Sequence, residues 1–146
     1  MVATRLLDAR RETVWKLWTE PAHVAEWWGP SGFTTTIHEM DVRPGGRWRH
    51  TMHGPDGTDH TNSVVFVEVR EPERIAYLHG TPGEADHFFT TVLFADEGGK
   101  TGVTIRALFP SAADRDRAIR EYGAEEGLEQ NMDKLVDYVS RFRTAS

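Results

Sequence analysis

Apolar residues recur at helical spacing in the last third of the chain. The steps are four, three, four and three residues, in the order Leu128, Met132, Leu135, Val139 and Phe142. That spacing lines one face of a helix, and Ser111 is a good residue to cap its start. Charged residues between them, Lys134 included, should face water. We predict one long amphipathic helix from Ser111 to Phe142.

Between Phe33 and Phe109 the apolar positions change to a period of two, which predicts β-strands. Turns rich in glycine and proline divide the stretch into six strands, and a looser loop from Gly80 to Asp86 precedes the fifth. The predicted strands are Thr34 to Val42, Arg47 to His53, Thr58 to Val69, Arg74 to His79, His87 to Ala95 and Gly102 to Phe109. Such short connections favour antiparallel pairing.

The first 30 residues predict one strand and two short helices. The strand runs from Thr4 to Leu7, Val14 begins the first helical repeat, Pro21 opens the second helix, and Gly29-Pro30 ends it. The fold class is therefore α+β, in the order β-α-α-β6-α. We expect residues 1–146 to form one domain, a curved antiparallel sheet around the C-terminal helix with a pocket between them.

The turn at 43–46 sets an expected register for the first hairpin. Counting back from it pairs Met40 with Trp48, His38 with His50, and Thr36 with Met52. This places Trp48 and Met52 on the buried face.

The strand from Thr58 to Val69 is ambiguous. Counting from the preceding turn points Val65 and Val67 inward, whereas counting from the following turn points Phe66 and Glu68 inward. Both hold only if a β-bulge near Asn62 to Val64 resets the register.

Composition narrows the function. The chain has 146 residues, a net charge of −6 and no cysteine. The negative charge argues against a nucleic-acid partner, and the lack of cysteine excludes disulfides and thiolate metal sites. No stretch reads as a signal peptide or a membrane span, so we expect a cytoplasmic protein.

Histidines on the predicted inner face are the first chemical candidates. His38, His50 and His79 could exchange protons or bind the polar end of a ligand, and the alternative is that each only packs. Glu68, if inward, would be a general base with a raised pKa; the alternative is a salt bridge to Arg47 or Arg74. His50 and His53 point to opposite faces of a strand and no HExxH motif is present, so we expect no metal site and no cofactor.

Aromatic and apolar residues supply the predicted wall of the pocket. Trp28 and Trp48 are the best candidates to stack on a flat ligand, whereas Trp18 and Trp27 should pack the short helices against the sheet. The full predicted ligand-binding set is Trp28, Phe33, Trp48, His50, Met52, Tyr77, His79, Phe88, Leu128 and Met132.

Several segments together resemble a known family. They are VWKLWTEPAHVAEWWGP, DVRPGGRWRHTMHGPDG, EVREPERIAY and EEGLEQNMDKL, in order between Val14 and Leu135. They resemble the family of proteins like the activator of heat-shock protein 90 ATPase, within the START-like or SRPBCC superfamily. The resemblance implies a helix-grip fold with a hydrophobic cavity. Leu128 stands where many members carry tryptophan, which would widen the pocket.

Three functions fit the resemblance. We rank first the binding of a hydrophobic or aromatic small molecule, lipid-like or polyketide-like. An enzyme of the cyclase or hydrolase type, using His38, His50 or Glu68, comes second. A chaperone-partner domain comes third, and a stress-response role and a homodimer remain open.

Overall fold

The computed structural model describes residues 1–80, 88–122 and 124–145. The predicted loop residues 81–86, the predicted strand start at residue 87 and the side chain of Phe142 lie outside the described residues.

Helices form in each region where the apolar spacing predicts them, but two helices, α3 and α4, replace the single helix predicted from Ser111 to Phe142. Their bounds are Arg11–Thr19 (α1), Pro21–Trp27 (α2), Ala112–Tyr122 (α3) and Ala124–Ala145 (α4). Pro21 is the first residue of α2, where its missing N–H costs no hydrogen bond. Ser111 caps α3 as expected, because its Oγ accepts a hydrogen bond of 3.1 Å from the backbone N of Asp114.

Within the described residues, seven strands form one antiparallel sheet. They are Val2–Leu7 (β1), Thr34–Met40 (β2), Arg47–His53 (β3), Asp59–Arg70 (β4), Arg74–His79 (β5), Phe88–Glu97 (β6) and Lys100–Leu108 (β7). Their order across the sheet is β1-β7-β6-β5-β4-β3-β2. The predicted helix-grip architecture is confirmed: the sheet curves, and one face, called the inner face here, packs against the C-terminal helix.

The predicted apolar stripe of α4 packs into the core. Met132, Leu135 and Val139 are buried there, and Leu128 is half-buried against the same cluster. Polar contacts also hold α4 to the sheet, because the guanidinium of Arg5 on β1 bonds Glu129 and Asp133 of α4. Sheet and helix therefore share one hydrophobic interior.

The register of the first hairpin is correct near its turn and wrong beyond it. Met40 pairs with Trp48 as predicted, but a β-bulge between Ile37 and Glu39 places Ile37, not His38, opposite His50. The extra residue inverts the alternation of β2. As a consequence Thr35, not Thr36, lies opposite Met52.

The predicted bulge of the next strand lies elsewhere. β4 pairs regularly with β3 through Asn62 and Val64, and its register with β5 shifts between Phe66 and Glu68. Val64 and Phe66 are buried, whereas Val65 and Val67 are exposed. Counting from the following turn therefore gives the correct face for Phe66.

Candidate ligand site on the inner face of the sheet

An aromatic row crosses the middle of the inner face. Trp48 on β3 stacks on Phe66 of β4 with ring centroids 6.2 Å apart, and Tyr77 of β5 meets both rings edge-on. All three side chains are buried. The hydroxyl of Tyr77 bonds Thr90, and burial raises its pKa far above the ordinary value, so the phenol is neutral. This row is an apolar floor.

Trp28 covers one end of the floor. Its ring meets Trp48 edge-on at 4.7 Å and His50 edge-on at 6.0 Å. Trp28 ends α2 and begins the loop 28–33 that leads to β2. Within this loop Gly29 has φ +103°, and a Cβ there would lie 3.3 Å from Phe33. Glycine thus lets the loop turn tightly beneath α4.

Side chains of α4 hold this loop in place. The ammonium of Lys134 donates to the backbone carbonyls of Trp28, Pro30 and Phe33 at 3.1–3.5 Å. Asn131 Oδ1 accepts from the backbone N of Gly29 at 3.1 Å. Lys134 was expected to face water, but it is half-buried, and this burial lowers its pKa. The position of Trp28 therefore depends on α4.

His50 lies beside the floor and is 1% exposed. Its ring stacks on Trp48 with centroids 4.6 Å apart. Among the described residues, its Nδ1 has no hydrogen-bond partner. Burial, followed by the charges of His79 and His38, lowers its pKa from 6.5 to about 4. The imidazole is therefore neutral near pH 7, with one nitrogen a donor and the other an acceptor.

A second polar position faces His50 across the strands. Asn62 of β4 lies directly opposite His50. Its Nδ2 donates to the carbonyl of His60, so its Oδ1 is the atom 2.9 Å from Nε2 of His79. That contact requires the proton of His79 to be on Nε2. The predicted neighbour of His50 across the strands was His38, but the structure places an amide there.

Half-buried aromatic rings extend this row toward the end of the sheet. His79 stacks on Phe88 with centroids 4.5 Å apart, and Phe88 stacks on Phe109 at 5.1 Å. His79, Phe88 and Phe109 are each only partly covered. We call these three residues the aromatic ledge. They offer partly exposed aromatic rings next to the deeper, fully buried floor.

The other predicted lining residues divide into two groups. Met52 lies beside Gly29 and is half-buried, while Met132 is buried in the core with the floor residues. Phe33 instead turns toward the β3–β4 connection, where its ring lies 5.9 Å from that of His60. Of these three, Met52 and Met132 approach the floor.

Two of the candidate acid-base residues lie elsewhere. His38 is exposed and bonds Thr51 at 2.8 Å; Thr51 follows His50 on β3, so this contact lies on the opposite, outer face. The prediction of an inward His38 is wrong because of the bulge in β2. Glu68 forms an ion pair with Arg74 and its side chain is 40% exposed, which is the alternative considered for it.

Sequence reasoning missed Asn62, Lys134 and Phe109. Asn62 was missed because the predicted turn after β3 has four residues, Gly54 to Gly57, whereas five residues separate the paired His53 and Asp59 and bring Asn62 opposite His50. Lys134 borders the buried stripe at Leu135, and a lysine at such a border can lay its aliphatic stem along apolar surface. Nothing in the sequence gives its three carbonyl partners.

The described residues also bear on metals and membranes. No cluster of three or more His, Cys, Asp or Glu side chains suited to a metal ion occurs among them. None of the described helices is long and apolar enough to cross a bilayer.

Comparison with known proteins places the chain in a family. The profile of the family described as "Activator of Hsp90 ATPase homolog 1-like protein" matches residues 8–140. A comparison with functionally curated proteins finds no match.

Solved structures of low sequence identity share the fold. An NMR structure from Arthrobacter aurescens has a TM-score of 0.89 at 24% identity, covering 96% of this chain and 85% of that one. A crystal structure from Nitrosomonas europaea has a TM-score of 0.83 at 21% identity, covering 99% and 96%. CalU16 from Micromonospora echinospora has a TM-score of 0.66 at 18% identity, covering 99% and 78%. With the family profile matching most of its length, the chain belongs to the Activator of Hsp90 ATPase homolog 1-like family.

Proposed function

We propose that this protein binds a flat hydrophobic or aromatic small molecule between the sheet and α4. The observation that carries the proposal is the arrangement on the inner face, where the half-buried aromatic ledge adjoins a buried aromatic floor. Binding sites for small molecules are typically concave and apolar, with a few placed polar groups. His50 supplies such a group here. Folds of this family commonly bind hydrophobic ligands, which supports the same proposal.

The ledge gives the ligand its point of contact. Phe88 is stacked between His79 and Phe109, which come from the two sides of β6, so its ring faces are covered and its partly exposed edge is held in one orientation. A flat ring placed against that edge gains an edge-to-face contact without ordering a mobile side chain. An apolar ligand would continue from the ledge toward Trp48 and Trp28.

Naphthalene tests this proposal because it has ring faces and no polar group. Its dissociation constant is measured by equilibrium dialysis for the unmodified protein, Phe88→Ala and Phe89→Ala. Phe89 is the matched control, since it is also half-buried but points to the outer face from the next position of β6. Loss of one aromatic contact should weaken binding about two- to tenfold in Phe88→Ala, while Phe89→Ala should bind as before.

Two results would contradict the proposal. One is that naphthalene and larger flat hydrocarbons do not bind at all. The other is that both variants weaken binding equally, which would mean that the ligand lies elsewhere or that the substitutions act through stability. Circular dichroism of each variant separates these two causes.

Catalysis in the same cavity is the second candidate, and the neutral, buried His50 favours it as an acid-base group. It predicts turnover of a bound ligand that His50→Leu abolishes while binding persists. Activation of a chaperone ATPase is the third candidate and rests on the family description alone. It predicts a higher ATPase rate of an Hsp90-type chaperone when this protein is added.

A further inference from the structure

Two buried polar atoms beside the floor have no hydrogen-bond partner among the described residues. They are Nε1 of Trp48 and Nδ1 of His50, each in a side chain that is 1% exposed. The two rings stack with centroids 4.6 Å apart. A buried polar group without a partner destabilises the fold. Two such atoms in adjacent rings of one binding face indicate a group that a ligand supplies.

We propose that the ligand carries an uncharged hydroxyl group that accepts a hydrogen bond from the indole of Trp48 and bonds Nδ1 of His50. This inference rests on the proposed function and names its ligand class: a neutral phenol-like or alcohol-bearing flat molecule. The hydroxyl lies at the deep end, beside Trp48 and His50. The apolar body extends toward the aromatic ledge.

The hydrogen-bonding groups select a hydroxyl over other polar groups. The indole N–H of Trp48 only donates, so the ligand atom must accept. Neutral His50 has one protonated nitrogen, and Nδ1 is either acceptor or donor. A hydroxyl has one proton and two lone pairs, so it completes the set in both cases. A carbonyl oxygen does so only when Nδ1 is protonated, and an ammonium group cannot accept from Trp48.

The charges of the protein around this site favour a neutral ligand. The chain carries a net charge of −6. Two cations between the sheet and α4 are already engaged, Arg5 of β1 with Glu129 and Asp133, and Lys134 of α4 with three carbonyls. Burial keeps His50 neutral. A carboxylate placed here would lose its hydration without gaining a counter-ion.

The test compares three ligands of one shape. They are 2-naphthol, 2-methylnaphthalene and 2-naphthoate, measured by equilibrium dialysis at pH 7, where a phenolic hydroxyl is protonated. A purely apolar cavity prefers the methyl compound, because a methyl group costs less to desolvate than a hydroxyl. We expect the reverse, with 2-naphthol bound about tenfold more tightly than 2-methylnaphthalene and 2-naphthoate bound most weakly.

Variants show which protein atoms cause the preference for 2-naphthol. His50→Leu should reduce or invert the preference for 2-naphthol, and His50→Gln, which retains a donor and an acceptor, should restore part of it. Trp48→Phe removes the indole N–H and keeps an aromatic ring, so it should also reduce the preference. His53→Leu is the matched control, since His53 lies three residues on and faces outward, and it should leave the preference unchanged. Circular dichroism shows which variants are folded.

The outcomes separate this inference from the function on which it rests. If 2-methylnaphthalene binds as tightly as 2-naphthol or more tightly, the cavity binds apolar ligands and the hydroxyl inference is wrong. The inference is equally wrong if 2-naphthoate binds most tightly, or if folded His50→Gln and Trp48→Phe both keep the full preference. If none of the three compounds binds and naphthalene does not either, the proposed function fails as well.

Discussion

The two faces of β3 carry histidines that differ in burial and in hydrogen bonding. On the outer face, His53 is half-buried and both its ring nitrogens are engaged, Nδ1 with Asp59 and Nε2 with Thr36, each at 2.8 Å. On the inner face, His50 is buried and its Nδ1 has no partner within the described part of the chain. The outer imidazole already has its partners in the fold. The inner one keeps a nitrogen without a partner among the described residues, which is why the proposed ligand contact is assigned to His50 and not to His53.

The largest expected effect comes from the floor itself. Trp48→Ala removes a fully buried ring that contacts Trp28, Phe66 and Tyr77. It should lower the free energy of unfolding by about 3–5 kcal/mol, measured by urea denaturation. Arg49→Ala, one residue further along β3, removes only an exposed ion pair with Glu39 and should cost less than about 1 kcal/mol. Equal losses would mean that the inner face is not the packed one.

The pKa of His50 predicts a second difference between the faces. Its pKa is about 4 when folded and 6.5 as the ordinary value, so below pH 6.5 the unfolded chain binds a proton that the folded chain refuses. Stability is therefore full above pH 6.5 and falls as the pH drops toward 4, by on the order of 3 kcal/mol.

Urea denaturation at several pH values checks this dependence. His50→Leu should flatten the difference between pH 6.5 and pH 4, because the group that takes up the proton is gone. His53→Leu is the matched control on the outer face and should keep the slope. A slope that persists in His50→Leu would show that other groups cause it.

The loop held by α4 gives a third and smaller effect. Lys134→Met leaves three backbone carbonyls without their ammonium donor and should lower the free energy of unfolding by about 1–3 kcal/mol. It should also loosen Trp28 above His50 and so raise the pKa of His50 toward 6.5, measured by NMR titration of its ring protons. Lys16→Met, an exposed lysine of α1, should change neither quantity appreciably. An unchanged pKa in Lys134→Met would separate the loop from the environment of His50.

The smallest effect is expected on the outer face. Asp59→Asn removes the carboxylate that bonds His53, and the two side chains are 60% and 39% exposed. Exposed pairs of this kind contribute between about 0 and 1 kcal/mol, so thermal denaturation should shift little. A loss as large as that of Trp48→Ala would mean that the outer histidine network stabilises the sheet as much as the core does.

The order of the elements was predictable from the sequence because it depends on short-range signals. Alternation, glycine turns and the stripe Leu128, Met132 and Leu135 are local, and each gave the correct type of element, although two helices replace the single one predicted from Ser111. The pairing of Met40 with Trp48 was also predictable, since it lies close to its turn.

The site was harder to predict, because the face of the sheet to which a side chain points is found by counting residues along the strand. One extra residue at His38 turned the prediction for β2 to the wrong face, and one extra residue in the connection between His53 and Asp59 did the same for the count that pointed Val65 inward. A bulge places one extra residue in one strand of a pair, and no single residue type marks it. The hydrogen bonds from Lys134 to the loop were equally hard to predict, because they join segments about 100 residues apart.

The bulge in β2 has a consequence for how this surface can vary. β2 is the last strand of the sheet, bonded to β3 alone, so gaining or losing a residue there disturbs a single partner. Deleting His38 would realign the start of the strand and exchange which of its side chains point to the interior and which to the exterior, while β3, β4 and β5 stay as they are. The side chains that border the proposed ligand site can thus change through this edge strand alone, while His50 and Trp48 keep their positions on β3.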